Sequence, residues 1–109
     1  MSRAKGTIAE EKACNYLRTS GFDIIDRNVY SRFGEIDIIA LKNGVLHFIE
    51  VKSANDYEAA VQNITPTKLH RFLLTVQSYL KKNKLDMEYC VDGMIVTPDE
   101  ITLLENITL

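Results

Sequence analysis

The chain has no apolar run approaching the roughly 20 residues that a membrane helix needs. Its opening stretch, MSRAKGTIAEEKACNYL, follows a helical pattern rather than a charged head before an apolar signal core. A membrane partner is excluded on that reading, and a soluble cytoplasmic protein is expected. Only two cysteines, Cys14 and Cys90, occur, and neither sits in CxxC or Cys/His metal spacing. A disulfide scaffold is excluded, and both thiols read as reduced, buried small hydrophobes. Positive charge is not in excess either: 13 Lys and Arg stand against 15 Asp and Glu, a net charge of −2. Nucleic acid cannot then be gripped along the whole chain, so any such binding must be local or assisted by cations. Linkers, repeats, a nucleophile elbow and a phosphate-cradling glycine loop are also missing. What remains is one domain, residues 1–109, 46% hydrophobic and long enough for a single core.

Ser2 can cap a helix that runs to about Arg18 and is closed by Ser20-Gly21. Its apolar stripe is Ala9, Ala13, Tyr16 and Leu17 with Gly6 below, and helical spacing puts Glu10 beside Leu17 but Glu11 toward water. Residues 22–30 read as a strand, and GEIDIIAL and VLHFIEVK as two more joined at Asn43-Gly44, a strong hairpin signal. A polar stretch with a short helical turn follows. Thr65-Pro66 opens a second long helix, with Thr as cap and Pro at its first position. MEYCVDGMIV and ITLLENITL supply two last strands. The order α-β-β-β-α-β-β is that of an α/β sandwich with a mixed sheet.

The hairpin raises a problem in electrostatics. A loop at Asn43-Gly44 sets Asp37 directly opposite Glu50, with Lys52 on the same face two residues on. Leu41 and Ile39 share that face, while Ile36, Ile38, Ile49 and Val51 fill the other, so the hairpin is covered on both sides. Two carboxylates about 4 Å apart repel by roughly 4 kcal/mol at an effective dielectric near 20. A proton, a cation or another register must relieve them. Oxygen ligands alone suit Mg²⁺ or Mn²⁺, Lys52 could hold a phosphate oxygen, and Glu10 could complete the cluster. That set fits phosphodiester cleavage. A plainer account treats Glu50 and Lys52 as a strand-end ion pair, Asp37 as a turn residue and Glu10 as a snorkelling side chain. Glu35 reads as solvated, His47 as a core or edge histidine and His70 as surface.

The stretches EEKACNYL, GFDIIDRN, GEIDIIA, FIEVK and TPTK together resemble the YraN family, predicted endonucleases of the restriction-endonuclease-like, PD-(D/E)xK superfamily related to archaeal Holliday-junction resolvases. The resemblance covers nearly the whole chain. It implies an α-β-β-β-α-β core with a mixed central sheet flanked by helices. It also implies that Asp37, Glu50 and Glu10 bind Mg²⁺ or Mn²⁺ and that Lys52 assists an attacking water. Lys68 matches a family lysine, Arg27, Asn28 and Arg32 are candidate phosphate contacts or structural caps, and Arg71 is a further candidate phosphate contact. The activity so implied is metal-dependent cleavage of DNA, branched DNA included, and a homodimer stays open. Two departures stand out: Ser53-Ala54-Asn55 follow where the family carries a basic residue, and the chain is acidic. Both leave room for a non-catalytic module that binds nucleic acid or a partner.

Overall fold

Asn43 and Gly44 both take positive φ, 52° and 78°, the left-handed pair that a two-residue hairpin turn requires. They join β2 (Gly34–Lys42) to β3 (Val45–Ser53). The computed structural model describes residues 2–108, with side chains for residues 8–108. Around this hairpin stand α1 (Ser2–Thr19), β1 (Asp23–Ser31), α2 (Tyr57–Gln62), α3 (Pro66–Lys82), β4 (Tyr89–Val96) and β5 (Ile101–Leu104). The strands form one sheet in the order β1-β2-β3-β4-β5. Every neighbouring pair is antiparallel except β3 and β4, which run parallel. A parallel neighbour needs a crossover, and α2 with α3 supplies it.

Local chemistry fixes the element ends. Gly21, at φ 90°, ends α1 while Phe22 N–H reaches back to Leu17 O at 2.9 Å and Gly21 N–H to Arg18 O at 3.2 Å, a Schellman stop. Lys42 Nζ donates to Ser20 O at 2.9 Å and ties this stop to the end of β2. Asp56 caps α2 by accepting Ala59 N–H. Thr65 caps α3 by accepting Lys68 N–H at 3.2 Å, with Pro66 at its first position. The cap expected at Ser2 and the placing of Gly6 fall among side chains outside the described set.

Apolar side chains fill both faces of the sheet. Ala9, Ala13, Cys14 and Leu17 of α1 pack with Phe22, Ile38, Ala40 and Ile49 on one side. Phe72, Val76 and Leu80 of α3 pack with Ile36, Ile39, Leu46 and Phe48 on the other. Each fully buried Ile, Leu or Phe contributes about 1.5–3 kcal/mol, so the two central strands are held from above and below. Among the described residues no helix is long and apolar enough to cross a membrane.

Two face assignments differ from the sequence expectation. Tyr16 lies 38% exposed, and Cys14 takes the buried position in its place. The α1 stripe is therefore narrower and shifted, which a small residue such as Cys allows and a tyrosine ring would not. Ile36 packs on the α3 side although Ile38, two residues along the same strand, packs on the α1 side. Strict alternation would have kept them together. The β1–β2 pairing explains the flip: it runs Arg27 with Ile38, then Val29 with Ile36, and skips Asn28 and Asp37. Asn28 has φ 52°, and this left-handed residue turns the strand so that Val29 follows Ile36 to the α3 side.

Candidate functional site

The break at Asn28 and Asp37 is where the charged residues meet. The β2–β3 ladder pairs Lys42 with Val45 through to Ile38 with Ile49, the register expected from the turn. It stops one step short of Asp37 and Glu50. Instead Asp37 Oδ2 accepts the Val51 N–H at 2.7 Å, so the side chain takes a bond the backbone would have made. Asp37 is thereby fixed in the opening between the strands, held by its own hydrogen bond and only partly screened from water.

Glu50 and Lys52 reach the opening from β3. Their ion pair, Lys52 Nζ to Glu50 Oε1, spans 3.2 Å, and both side chains are largely buried. Pleat alternation from Phe48 assigns them to the α3 side. Among the described residues, buried Glu50 Oε2 has no hydrogen-bond partner. A buried carboxylate oxygen left unpaired is costly, and a bound cation or a proton donor there would satisfy it.

Glu10 comes from α1 on the opposite face. Arg27 of β1 holds it: the guanidinium donates to Glu11 Oε2 at 2.9 Å and lies 4.0 Å from Glu10 Oε1. The bond to Glu11 raises the already high Arg27 pKa further. Glu10 itself is raised above its ordinary value, first by burial and then by the charge of Glu35, with Arg27 and the Asn28 amide opposing. Glu35, expected to be solvated, is half-buried and joins the cluster. The flip at Asp37 is the reason, because it carries Glu35 round toward α1 instead of out to water.

Asp37 stands at the centre of these charges. Burial pushes its carboxyl up to about 7, and Glu35, Glu10 and Glu50 add to the rise, against the single opposing bond from Val51. Four carboxylates thus converge with one ammonium in contact among the described residues. A hard divalent cation fits this donor set: carboxylate oxygens only, one of them orphaned, around a gap between strands. Glu10, Asp37 and Glu50 are the residues that could hold it.

The basic candidates are placed less tightly. Arg27 is occupied by Glu10 and Glu11 and positions α1 over the site. Arg32 is exposed in the β1–β2 turn with its guanidinium 4.8 Å from the Phe33 ring centroid. Lys68, His70 and Arg71 are exposed on the first turns of α3. Among the described residues no hydrogen bond or ion pair joins those three to the carboxylates. Just past Lys52, a groove of about 570 Å³ begins at Ser53 and runs between Lys12 of α1, Asp56 and Thr97.

The sequence reading missed Glu35 and Asp92. Glu35 gave a sign, as a second carboxylate two residues before Asp37. Asp92 gave another, as a lone carboxylate inside the apolar run YCVDGMIV.

Comparison with known proteins places the chain among relatives of the same size. The profile of the family described as "Uncharacterised protein family UPF0102" matches residues 9–96. A UPF0102 protein of Sulfurimonas denitrificans is 60% identical over 109 residues, covering 100% of both chains. One from Aliarcobacter butzleri is 53% identical over 110 residues, again 100% of both. One from Helicobacter pylori is 51% identical over 106 residues, 97% of this chain and 92% of the relative. The stretch that carries Glu10, Asp37, Glu50 and Lys52 lies within the matched region, and the chain belongs to the uncharacterised protein family UPF0102.

Proposed function

We propose that the protein is a divalent-cation-dependent nuclease hydrolysing phosphodiester bonds in DNA, built on a restriction-endonuclease-like fold. The observation that carries this reading is the gap beside Asp37, into which Glu10, Glu35 and Glu50 crowd while Glu50 Oε2 stays buried without a partner. A proton or a bound cation relieves such repulsion, and groups with strongly shifted pKa values cluster at functional sites.

Each residue has a task in this scheme. Asp37 is oriented through Oδ2 by Val51 N–H, which leaves Oδ1 for another partner. Glu50 keeps Lys52 in place with Oε1 and offers Oε2. Lys52 can donate to a phosphate oxygen or orient the attacking water. Glu10, steadied by Arg27, closes the site from the α1 side. Bound among these oxygens, Mg²⁺ or Mn²⁺ would neutralise phosphate charge and make a water more acidic. The α3 N-terminus, with Lys68, His70 and Arg71 on its first turns, favours phosphate nearby. Branched or otherwise structured DNA is the substrate class to test first.

A second reading keeps the binding and drops the chemistry. The net charge of −2 and the engagement of Arg27 by glutamates leave little positive surface, which favours a module that binds nucleic acid or a protein partner without cutting. Cleavage assays on linear, single-stranded and four-way-junction DNA with Mg²⁺ or Mn²⁺ separate the two. The nuclease reading expects cutting that Glu50→Gln and Lys52→Ala both abolish. Binding without cutting under all these conditions supports the second reading. Cutting that survives in both variants defeats the assignment of the site.

A further inference from the structure

On the opposite face of β3 from Glu50, three side chains of a different chemistry converge. His47 and Cys90 are neighbours across the parallel β3–β4 pair, and Asp92 lies two residues along β4, so all three project to the α1 side. His47 Nδ1 is 2.6 Å from Asp92 Oδ2 and 3.1 Å from Cys90 Sγ, and Sγ is 3.4 Å from Asp92 Oδ1. Asp92 is fully buried and His47 only 9% exposed, while Cys90 is partly buried.

The arrangement is wrong for a nucleophilic cysteine. A catalytic relay passes through the two ring nitrogens of the histidine, one facing the acid and one facing the nucleophile. Here the acid and the thiol both meet Nδ1. The thiol is also the reverse of activated: burial and the Asp92 charge push its pKa up to about 12. A disulfide is excluded as well, because Cys14 and Cys90 are both free. What three donors sharing a single vertex do offer is a common point for a fourth atom.

We propose that His47 Nδ1, Cys90 Sγ and Asp92 Oδ2 form a zinc-type site, separate from the carboxylate cluster and independent of the nuclease reading. One imidazole, one thiolate and one carboxylate are the ligands that Zn²⁺ takes, and hard Mg²⁺ does not favour sulfur. Tetrahedral bonds of about 2.0–2.3 Å require donor separations of roughly 3.3–3.6 Å. The Nδ1–Oδ2 and Nδ1–Sγ separations reach that by opening less than about 1 Å, and all three donor atoms lie within 4.8 Å of one another. Its backbone is rigid, being two paired central strands. Asp92 is held from behind, since Asn106 N–H donates to Oδ1 at 2.9 Å, the outer support that orients a ligating carboxylate. The metal-free state is satisfied too: imidazole, thiol and Asn106 N–H all donate to the one carboxylate. On binding, the thiol proton leaves to solvent, the imidazole proton sits on Nε2, and an S–Zn bond replaces the S–H bond. The partial exposure of Cys90 would let water serve as the fourth ligand.

Co²⁺, a coloured stand-in for Zn²⁺, tests this in the reduced full-length protein carrying Asp37→Asn, so that the carboxylate cluster does not compete. The expected result is a thiolate-to-cobalt absorption band that saturates at one ion per chain, vanishes in Cys90→Ser, persists in Cys14→Ala and is bleached by Zn²⁺. A second measurement needs no substitution at the site. Alkylation of Cys90 in the wild-type protein, read by mass spectrometry, should slow about tenfold or more with Zn²⁺ and not at all with Mg²⁺. Absence of the band, its survival in Cys90→Ser, or equal alkylation rates with and without Zn²⁺ would each overturn the proposal.

Discussion

Asp37 Oδ2 accepts the Val51 N–H at 2.7 Å, one step beyond the last paired residues of the hairpin, Ile38 and Ile49. The bond anchors a carboxylate whose pKa is nonetheless driven from 3.8 to about 7, because burial and three acidic neighbours outweigh it. The consequence for stability has a definite sign. Between those two values the native state holds a proton that the unfolded chain has released, so stability falls as pH rises through the window and levels off above it. Glu10, also raised, acts in the same direction. In chelator, urea unfolding of the wild type should lose about 1–3 kcal/mol between roughly pH 4.5 and 7.5. Asp37→Asn keeps an acceptor for Val51 and should remove most of that loss. An unchanged slope in the variant would show that Asp37 is not the proton-holding group.

Metal dependence follows from the same crowding. Wild-type protein should gain thermal stability with Mn²⁺, by about 2.7 kcal/mol at a hundredfold excess over Kd. Asp37→Asn and Glu50→Gln should melt at the wild-type temperature or above without metal at neutral pH, since each relieves repulsion. Neither should respond to Mn²⁺ as the wild type does. Three identical Mn²⁺ responses would sink the carboxylate site.

The hairpin was legible because its cause is local. Asn43-Gly44 names the turn, the turn fixes the register, and the pairing from Lys42–Val45 to Ile38–Ile49 follows. The break beyond it was not legible. An alternation reading assumes an unbroken ladder, whereas the flip depends on a positive φ at Asn28, a residue that tolerates the left-handed region but does not require it. That reading puts Ile36 on the wrong side and leaves Glu35 solvated where it is half-buried. Glu10, Asp37, Glu50 and Lys52 were still found together, since charge inside apolar runs marks them wherever their side chains turn. The His47, Cys90 and Asp92 group lay further out of reach. Its members are 43 and 45 residues apart and meet only because α2 and α3 return the chain parallel to β3.

The turn can be tested alone. A Cβ added at Gly44 would meet nothing within 4 Å, so Gly44→Ala probes the left-handed backbone without a clash. It should cost about 1–2 kcal/mol, measured by chemical denaturation. A neutral outcome would mean that the hairpin adopts another turn type and that its register is held by the strands instead.

How an acidic chain could hold DNA is the harder question, and divalent ions are the expected answer. With Arg27 occupied by Glu10 and Glu11, the expected phosphate contacts are exposed Arg32 in the β1–β2 turn and exposed Lys68 and Arg71 at the start of α3. On the nuclease reading they would supply a thin positive rim to a negative centre. DNA binding measured by fluorescence anisotropy should be weak in chelator and strengthen with Ca²⁺, which stands in for Mg²⁺. It should fall with salt along a shallow slope, because only about two to four phosphates are neutralised. Lys68→Ala should weaken binding alike on every DNA sequence, as loss of a phosphate contact does. Lys52→Ala should spare most of the binding, since its ammonium is committed to Glu50 at 3.2 Å and on the nuclease reading would act on the scissile phosphate alone. If Ca²⁺ at low salt brings no detectable binding, the acidic centre is not being bridged to phosphate, and the partner-binding reading takes the place of the nuclease.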